Sequence, residues 1–214
     1  MDEYILLILG IIGVISFSVS GTIVAIKAKF DLFGVIIMGC VTASGGGILR
    51  DVIIGKIPPE LFSKPYVFAI AALASVIVFL SIYFDKKDFL KISETIERVN
   101  NVFDSVGLAA FTVTGTEMAF ICGLSENVFL SITIGVLTGI GGGVLRDILT
   151  GTSPYVFRKH VYAVAAIFGG AIYYVLRCYV VVNWLASLIS MIFIIGIRLL
   201  ATKFRWELPK IDIR

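Results

Sequence analysis

Long apolar stretches alternate with short polar ones along the whole chain. Runs near the roughly 20 residues needed to cross a bilayer as a helix fall at Tyr4–Ile26, Leu32–Ile54, Pro65–Phe84, Val102–Cys122, Val128–Leu149, Val161–Leu176 and Cys178–Leu200. Each is predicted to be a membrane-spanning helix, seven in all. The polar connections are short except Asp85–Asn101, where charge alternates through Asp85, Lys86, Lys87, Asp88, Lys91, Glu94, Glu97 and Arg98. That stretch reads as a solvated connector with room for an interfacial helical turn. The first apolar run has no basic segment before it and no small-residue cleavage site after it. It is therefore read as a retained span rather than a signal peptide.

Composition supports this pattern. Apolar residues make up 58% of the chain, charged residues 15%, and the mean hydropathy is +1.01. A soluble domain carries about a quarter charged residues. The net charge of +3 matters less than its distribution. With seven spans, one set of loops holds Lys27, Lys29, Lys86, Lys87, Lys91, Arg98, Arg158, Lys159, Lys203, Arg205, Lys210 and Arg214. The opposite set holds Lys56, Lys64 and Arg177. Basic residues favour the cytoplasmic side, which predicts an outside N-terminus and a cytoplasmic C-terminus. Cys40, Cys122 and Cys178 have no paired or metal-like spacing and read as small hydrophobes.

The spans repeat. Phe17-Ser18-Val19-Ser20-Gly21-Thr22 matches Phe111-Thr112-Val113-Thr114-Gly115-Thr116. Gly45-Gly46-Gly47-Ile48-Leu49-Arg50-Asp51 matches Gly141-Gly142-Gly143-Val144-Leu145-Arg146-Asp147. Gly39, Gly55 and Pro58 pair with Gly135, Gly151 and Pro154, and Ala69, Ala71 and Ala72 with Ala163, Ala165 and Ala166. Each copy holds three spans. Three is odd, so the second copy must enter the membrane from the other side, an inverted repeat of the kind that builds translocation paths. The expected fold class is all-α: a polytopic membrane protein with seven transmembrane helices, two inverted three-helix repeats plus one extra helix. Residues 1–214 read as a single membrane domain. The first repeat takes about 4–84, the connector 85–101, the second repeat about 102–177, the seventh helix about 178–200 and a basic tail 201–214.

The glycine triplets with Arg-Asp carry the chemistry. Glycine is a poor helix former, and Arg or Asp near mid-bilayer costs roughly 2.5–3.5 kcal/mol on insertion scales. Glycines let a helix bend and free its carbonyls, which membrane depth tolerates only inside protein or along a water-filled cavity. Bends are expected at Gly45, Gly46 and Gly47 and at Gly141, Gly142 and Gly143. Arg50, counted from Leu32, lies about 27 Å along a straight helix, near the outer face. Inversion puts Arg146 near the inner one. Arg50, Asp51, Arg146 and Asp147 would then stand at the two ends of one path. The alternative is that the glycines serve close helix packing and the charges reach the headgroups. Adjacent Arg and Asp on a helix are expected to diverge rather than pair.

Ser18 and Thr22, and Thr112 and Thr116, are four apart, so each pair shares a helix face and could offer hydroxyls to an ion. The competing use is a bond to the carbonyl one turn back. Ser16, Ser44 and Thr138 are weaker candidates. Glu117 lies inside the fourth span, is matched by Ile23, and needs a cavity, a basic partner or a shallow depth. His160, the only histidine, sits beside Arg158 and Lys159 in a loop and reads as solvated. There is no metal-ligand spacing, no catalytic set, and no nucleotide loop, because the triplets lack the Gly-Lys-Ser/Thr ending. No enzyme activity, cofactor, metal or nucleic-acid partner is expected.

Taken together, the two three-span repeats, the seventh helix and the twin Gly-Gly-Gly-x-Leu-Arg-Asp motif resemble the prokaryotic branch of the trimeric intracellular cation (TRIC) channel family, over about residues 4–200. The resemblance implies a homotrimer in membrane lipid with one pore per protomer. The pore would be lined by the first, second, fourth and fifth helices, the second and fifth bent at the glycines. It implies passive permeation of monovalent cations, K⁺ mainly and Na⁺ also. Arg50, Asp51, Arg146 and Asp147 would be its polar residues, and Ser18, Thr22, Thr112 and Thr116 would line the narrow part. Animal members carry Lys-Glu-Val where this chain has Leu-Arg-Asp, and bind phosphoinositide there. That lipid dependence is not implied here, and the departure points to a prokaryotic plasma membrane. An alternative implied by bacterial relatives is a small-solute, glycine-type transporter.

Overall fold

A computed structural model of the chain describes residues 2–84, 93–158, 161–179 and 182–206. Among these residues every regular element is helical: α1 (Asp2–Lys27), α2 (Leu32–Ile53), α3 (Glu60–Ser63), α4 (Tyr66–Phe84), α5 (Ser93–Ile121), α6 (Val128–Leu149), α7 (Tyr155–Arg158), α8 (Tyr162–Tyr179) and α9 (Asn183–Lys203). Six of them, α1, α2, α4, α6, α8 and α9, are long and apolar enough to cross a membrane. The expected fourth span, Val102–Cys122, falls in α5 but for its last residue, and α5 begins at Ser93 and takes in the last part of the expected connector. The first part of that connector, together with His160 and Lys159, falls outside the described residues.

Local chemistry sets the helix ends. Asp31 caps α2 by accepting from the Gly34 N–H at 2.7 Å, and Asn127 caps α6 by accepting from Leu130 N–H at 3.0 Å. The paired glycines Gly55 and Gly151 close the same helices in left-handed backbone, φ 77° and 69°. There the next N–H returns to the Asp51 and Asp147 carbonyls at 2.8 and 2.9 Å. This turn favours a residue without Cβ, which is why the sequence keeps glycine at both places.

Helices α1, α2, α5 and α6 pack on one another as the centre. Helix α4 covers α1 and α2, α8 covers α5 and α6, and α9 lies against α8 and α5. Val14, Phe17, Ala43, Leu108, Ala109, Tyr162, Ala165, Ala166 and Ile194 form the main buried apolar cluster. Phe17 meets Phe111 with ring centroids 5.2 Å apart, so the two equivalent aromatics touch at the centre. Large apolar side chains such as Leu73, Ile77, Phe168 and Ile192 point outward. In a bilayer these contact lipid tails, and the backbone polar groups behind them are satisfied within each helix.

Candidate functional site

The glycine triplets are where α2 and α6 cross. A Cβ added at Gly46 would fall on the Thr138 carbonyl oxygen, and one added at Gly142 on the Thr42 carbonyl oxygen. A Cβ at Gly141 would meet the Gly46 Cα at 3.0 Å. Gly45 faces Leu145, a Cβ added at Gly143 would meet the Tyr162 hydroxyl at 2.9 Å, and Gly47 has open space. Both helices run continuously through their triplets. In this conformation the glycines serve close approach of two backbones, as small residues do between membrane helices.

Beyond the crossing, each helix ends in an Arg-Asp pair of the same design. On α2, Arg50 Nε and Nη2 both donate to Asp51 Oδ1 at 2.8 Å, while Asp51 Oδ2 accepts the Glu60 backbone N–H at 2.8 Å. On α6, Arg146 Nε donates to Asp147 Oδ1 at 2.8 Å, and Asp147 Oδ2 accepts the Tyr155 N–H at 2.8 Å. The expected divergence of neighbours is overturned, because the long arginine side chain folds back over its own helix end. Each aspartate therefore ties its arginine to the first turn of the short helix that follows.

The two ends differ in what surrounds them. The Arg50 side chain keeps 12% exposure, and its Nη2 lies 4.0 Å from Glu60, which also binds Lys56 at 3.0 Å and Lys64 more closely. Burial raises the Glu60 carboxyl, but hydrogen bonds and charge from Lys64 and Lys56 outweigh it and hold the group at about 2. Arg146 is fully buried. Its Nη1 donates to Asp104 Oδ1 at 2.8 Å and to Ser20 Oγ at 2.6 Å, linking α6 to α5 and α1. Asp104 Oδ2 accepts from Arg198 Nη2 on α9 at 2.9 Å, and Arg198 also donates to Asn101 Oδ1 at 3.2 Å. The Arg198 guanidinium lies over the Tyr162 ring, 4.4 Å from its centroid. Arg146, Arg198, Asp104 and Asp147 thus form a buried cluster of two positive and two negative charges.

The expected hydroxyls are all buried but do different things. Ser18 donates to the Ala71 carbonyl at 2.6 Å and lies 2.9 Å from Ser75 Oγ, joining α1 to α4. Thr116 bonds back to the Thr112 carbonyl at 2.9 Å, as do Ser44 to Cys40 and Thr138 to Ile134 one turn earlier. Thr22 Oγ1 on α1 and Thr112 Oγ1 on α5, which are not equivalent positions of the repeat, are buried with no hydrogen-bond partner among the described residues. Ser16 is buried on α1. Glu117 has the basic partner its depth requires: Arg177 Nε at 3.0 Å, with the Tyr173 hydroxyl donating at 2.9 Å.

Asp104 and Arg198 were not expected at the site. Each is a charge inside an apolar run, the same signal that singles out Glu117. Reasoning by repeats passes over them because neither belongs to a matched motif.

The architecture is that of a multi-pass helical membrane protein built around a close helix crossing and paired intramembrane charges. The family described as Glycine transporter matches residues 7–83 and 101–178, and the chain belongs to that family. UPF0126 membrane protein YvgT of Bacillus subtilis (strain 168) is 37% identical over 211 residues, 97% of this chain and 96% of that protein. UPF0126 inner membrane protein YadS of Escherichia coli (strain K12) is 32% identical over 205 residues, 94% of this chain and 93% of that protein. A crystal structure of a prokaryotic TRIC channel in 0.5 M KCl superposes with a TM-score of 0.85 at 31% identity, covering 96% of this chain and 100% of that one. The TRIC orthologue from Rhodobacter sphaeroides gives 0.83 at 30%, covering 94% and 98%. The resemblance read from the sequence is thus shown at the level of family and fold. The chain is a multi-pass membrane protein of a prokaryotic type with an ion-channel fold, and not an enzyme.

Proposed function

We propose that this chain is a monovalent cation channel, permeable to K⁺ and Na⁺, acting as a homotrimer with one pore per protomer. The observation that carries this reading is the near full-length likeness to prokaryotic TRIC cation channels. The site fits it. The path runs between α1, α2, α5 and α6, past the buried hydroxyls of Thr22, Thr112 and Thr116, with Arg50-Asp51 at one end and Arg146-Asp147 at the other; the Ser18 hydroxyl joins it only on leaving its bond to α4. Helix α5 supplies the seventh span, and the two three-helix copies are inverted, with the N-terminus outside and the C-terminus in the cytoplasm. Both family-matched segments coincide with the copies, which supports that arrangement. The two arginines are latches: a guanidinium in a narrow path repels cations, and pairing it with aspartate holds it in place. Opening separates the α2–α6 crossing, with the glycines as the points of bending. Protein reconstituted in K⁺-loaded liposomes is expected to release K⁺ faster than empty liposomes, and equal rates would contradict the reading.

The family description favours a second reading, a glycine-type transporter. Saturable uptake of labelled glycine into proteoliposomes, without K⁺ conductance, would establish it over the channel.

A further inference from the structure

Helix α9 has no counterpart in either repeat, yet it sends one charged side chain into the centre. Arg198 is 3% exposed, and its Nη2 divides between Asp104 Oδ2 and Asn101 Oδ1. Asp104 is fully buried and bridges two guanidinium groups, one oxygen to Arg146 and the other to Arg198. Together with Asp147 the cluster has no net charge. It is also incompletely satisfied: among the described residues Arg146 Nη2 and Arg198 Nε are buried without an acceptor. A partly satisfied buried network is finely balanced, because each unpaired group bears its full desolvation cost. Removing one partner of a buried pair leaves an uncompensated charge, the expensive case.

We propose that Arg198 is a positioning residue which holds the Arg146 end of the path shut from outside the repeats, by neutralising Asp104. The proposal rests on the channel reading. Loss of the Arg198 charge leaves the cluster with one positive and two negative charges. The excess negative charge draws water and cations into that end of the path. Loss of the Asp104 charge leaves two positive charges and one negative, which repels cations. Loss of both restores balance. The cluster therefore responds to the sign of the charge removed, whereas a purely structural contact responds only to its loss.

The test is K⁺ release from liposomes by wild type, R198Q, D104N, the double variant R198Q/D104N and R198K, each checked for folding by size-exclusion chromatography and melting temperature in detergent. R198Q is expected to conduct several-fold faster than wild type, D104N slower, and the double variant close to wild type. R198K keeps the charge and is expected to stay near wild type. A folded R198Q no faster than wild type would overturn the proposal. If R198Q does not fold, D104N no slower than wild type, or a double variant no faster than D104N, overturns it. Wild-type conduction with any of these results leaves the channel reading standing. Wild-type liposomes no leakier than empty ones would remove both.

Discussion

At the scale of single residues, the Arg-Asp pairs combine two duties. Asp147 fixes Arg146 through one oxygen and the first turn of α7 through the other. Asp147→Ala is therefore expected to destabilise the folded protein by about 3–5 kcal/mol, the range for breaking a buried ion pair, seen as a lower melting temperature in detergent. Arg146→Ala and Arg50→Ala are expected to raise open probability in single-channel records, Arg146→Ala more, because its guanidinium is the fully buried one. Gating of both variants identical to wild type would contradict the latch. Glu60 gives the pH dependence. Its carboxyl is held at about 2, so it binds fewer protons folded than unfolded. The stability it adds is fully present above the ordinary carboxylate range and is lost as pH falls towards about 2. Glu60→Gln is expected to flatten the acid limb of a melting-temperature profile, and an unchanged limb would count against this role. The motif makes Arg50, Asp51, Arg146 and Asp147 legible in the sequence. Their partners are not, since Glu60, Asp104 and Arg198 are brought in by loops and packing that a linear pattern does not contain.

At the scale of elements, hydrophobic length alone locates the spans. Val128–Leu149 has the bounds expected from the sequence, and Leu32–Ile53 differs by one residue. The start of α5 is missed because its first turns are charged, and charge in a long helix reads as loop when only hydropathy is followed. The glycine triplets also look the same in a sequence whether they bend a helix or let two helices touch. The crossing distinguishes their positions. Ala at Gly46 or Gly142 would strike a carbonyl of the facing helix, and is expected to cost about 1–3 kcal/mol as overpacking does. Ala at Gly47 meets open space and is expected to be neutral or stabilising by up to ~1 kcal/mol, as a better helix former. Melting temperatures of the three variants check this, and equal losses at all three would contradict the crossing.

At the scale of the whole molecule, two similar halves carry dissimilar ends. Where α5 has Asp104, the equivalent offset in α1 gives Gly10, and among the described residues no helix outside the repeats meets the Arg50 end as α9 meets Asp104, the partner of Arg146. One end is tied by a partly exposed loop cluster, the other by a buried network that spans α1, α5, α6 and α9. The repeat is plain in the sequence. This asymmetry is not, because it depends on which residues lack a counterpart. Single-channel recording of the purified protein in planar bilayers, under asymmetric KCl and then KCl against NaCl, tests the central claim most directly. Discrete openings that reverse near the K⁺ equilibrium potential, with Na⁺ also carrying current, are the expected result. A bilayer that stays silent across voltage and pH would contradict it.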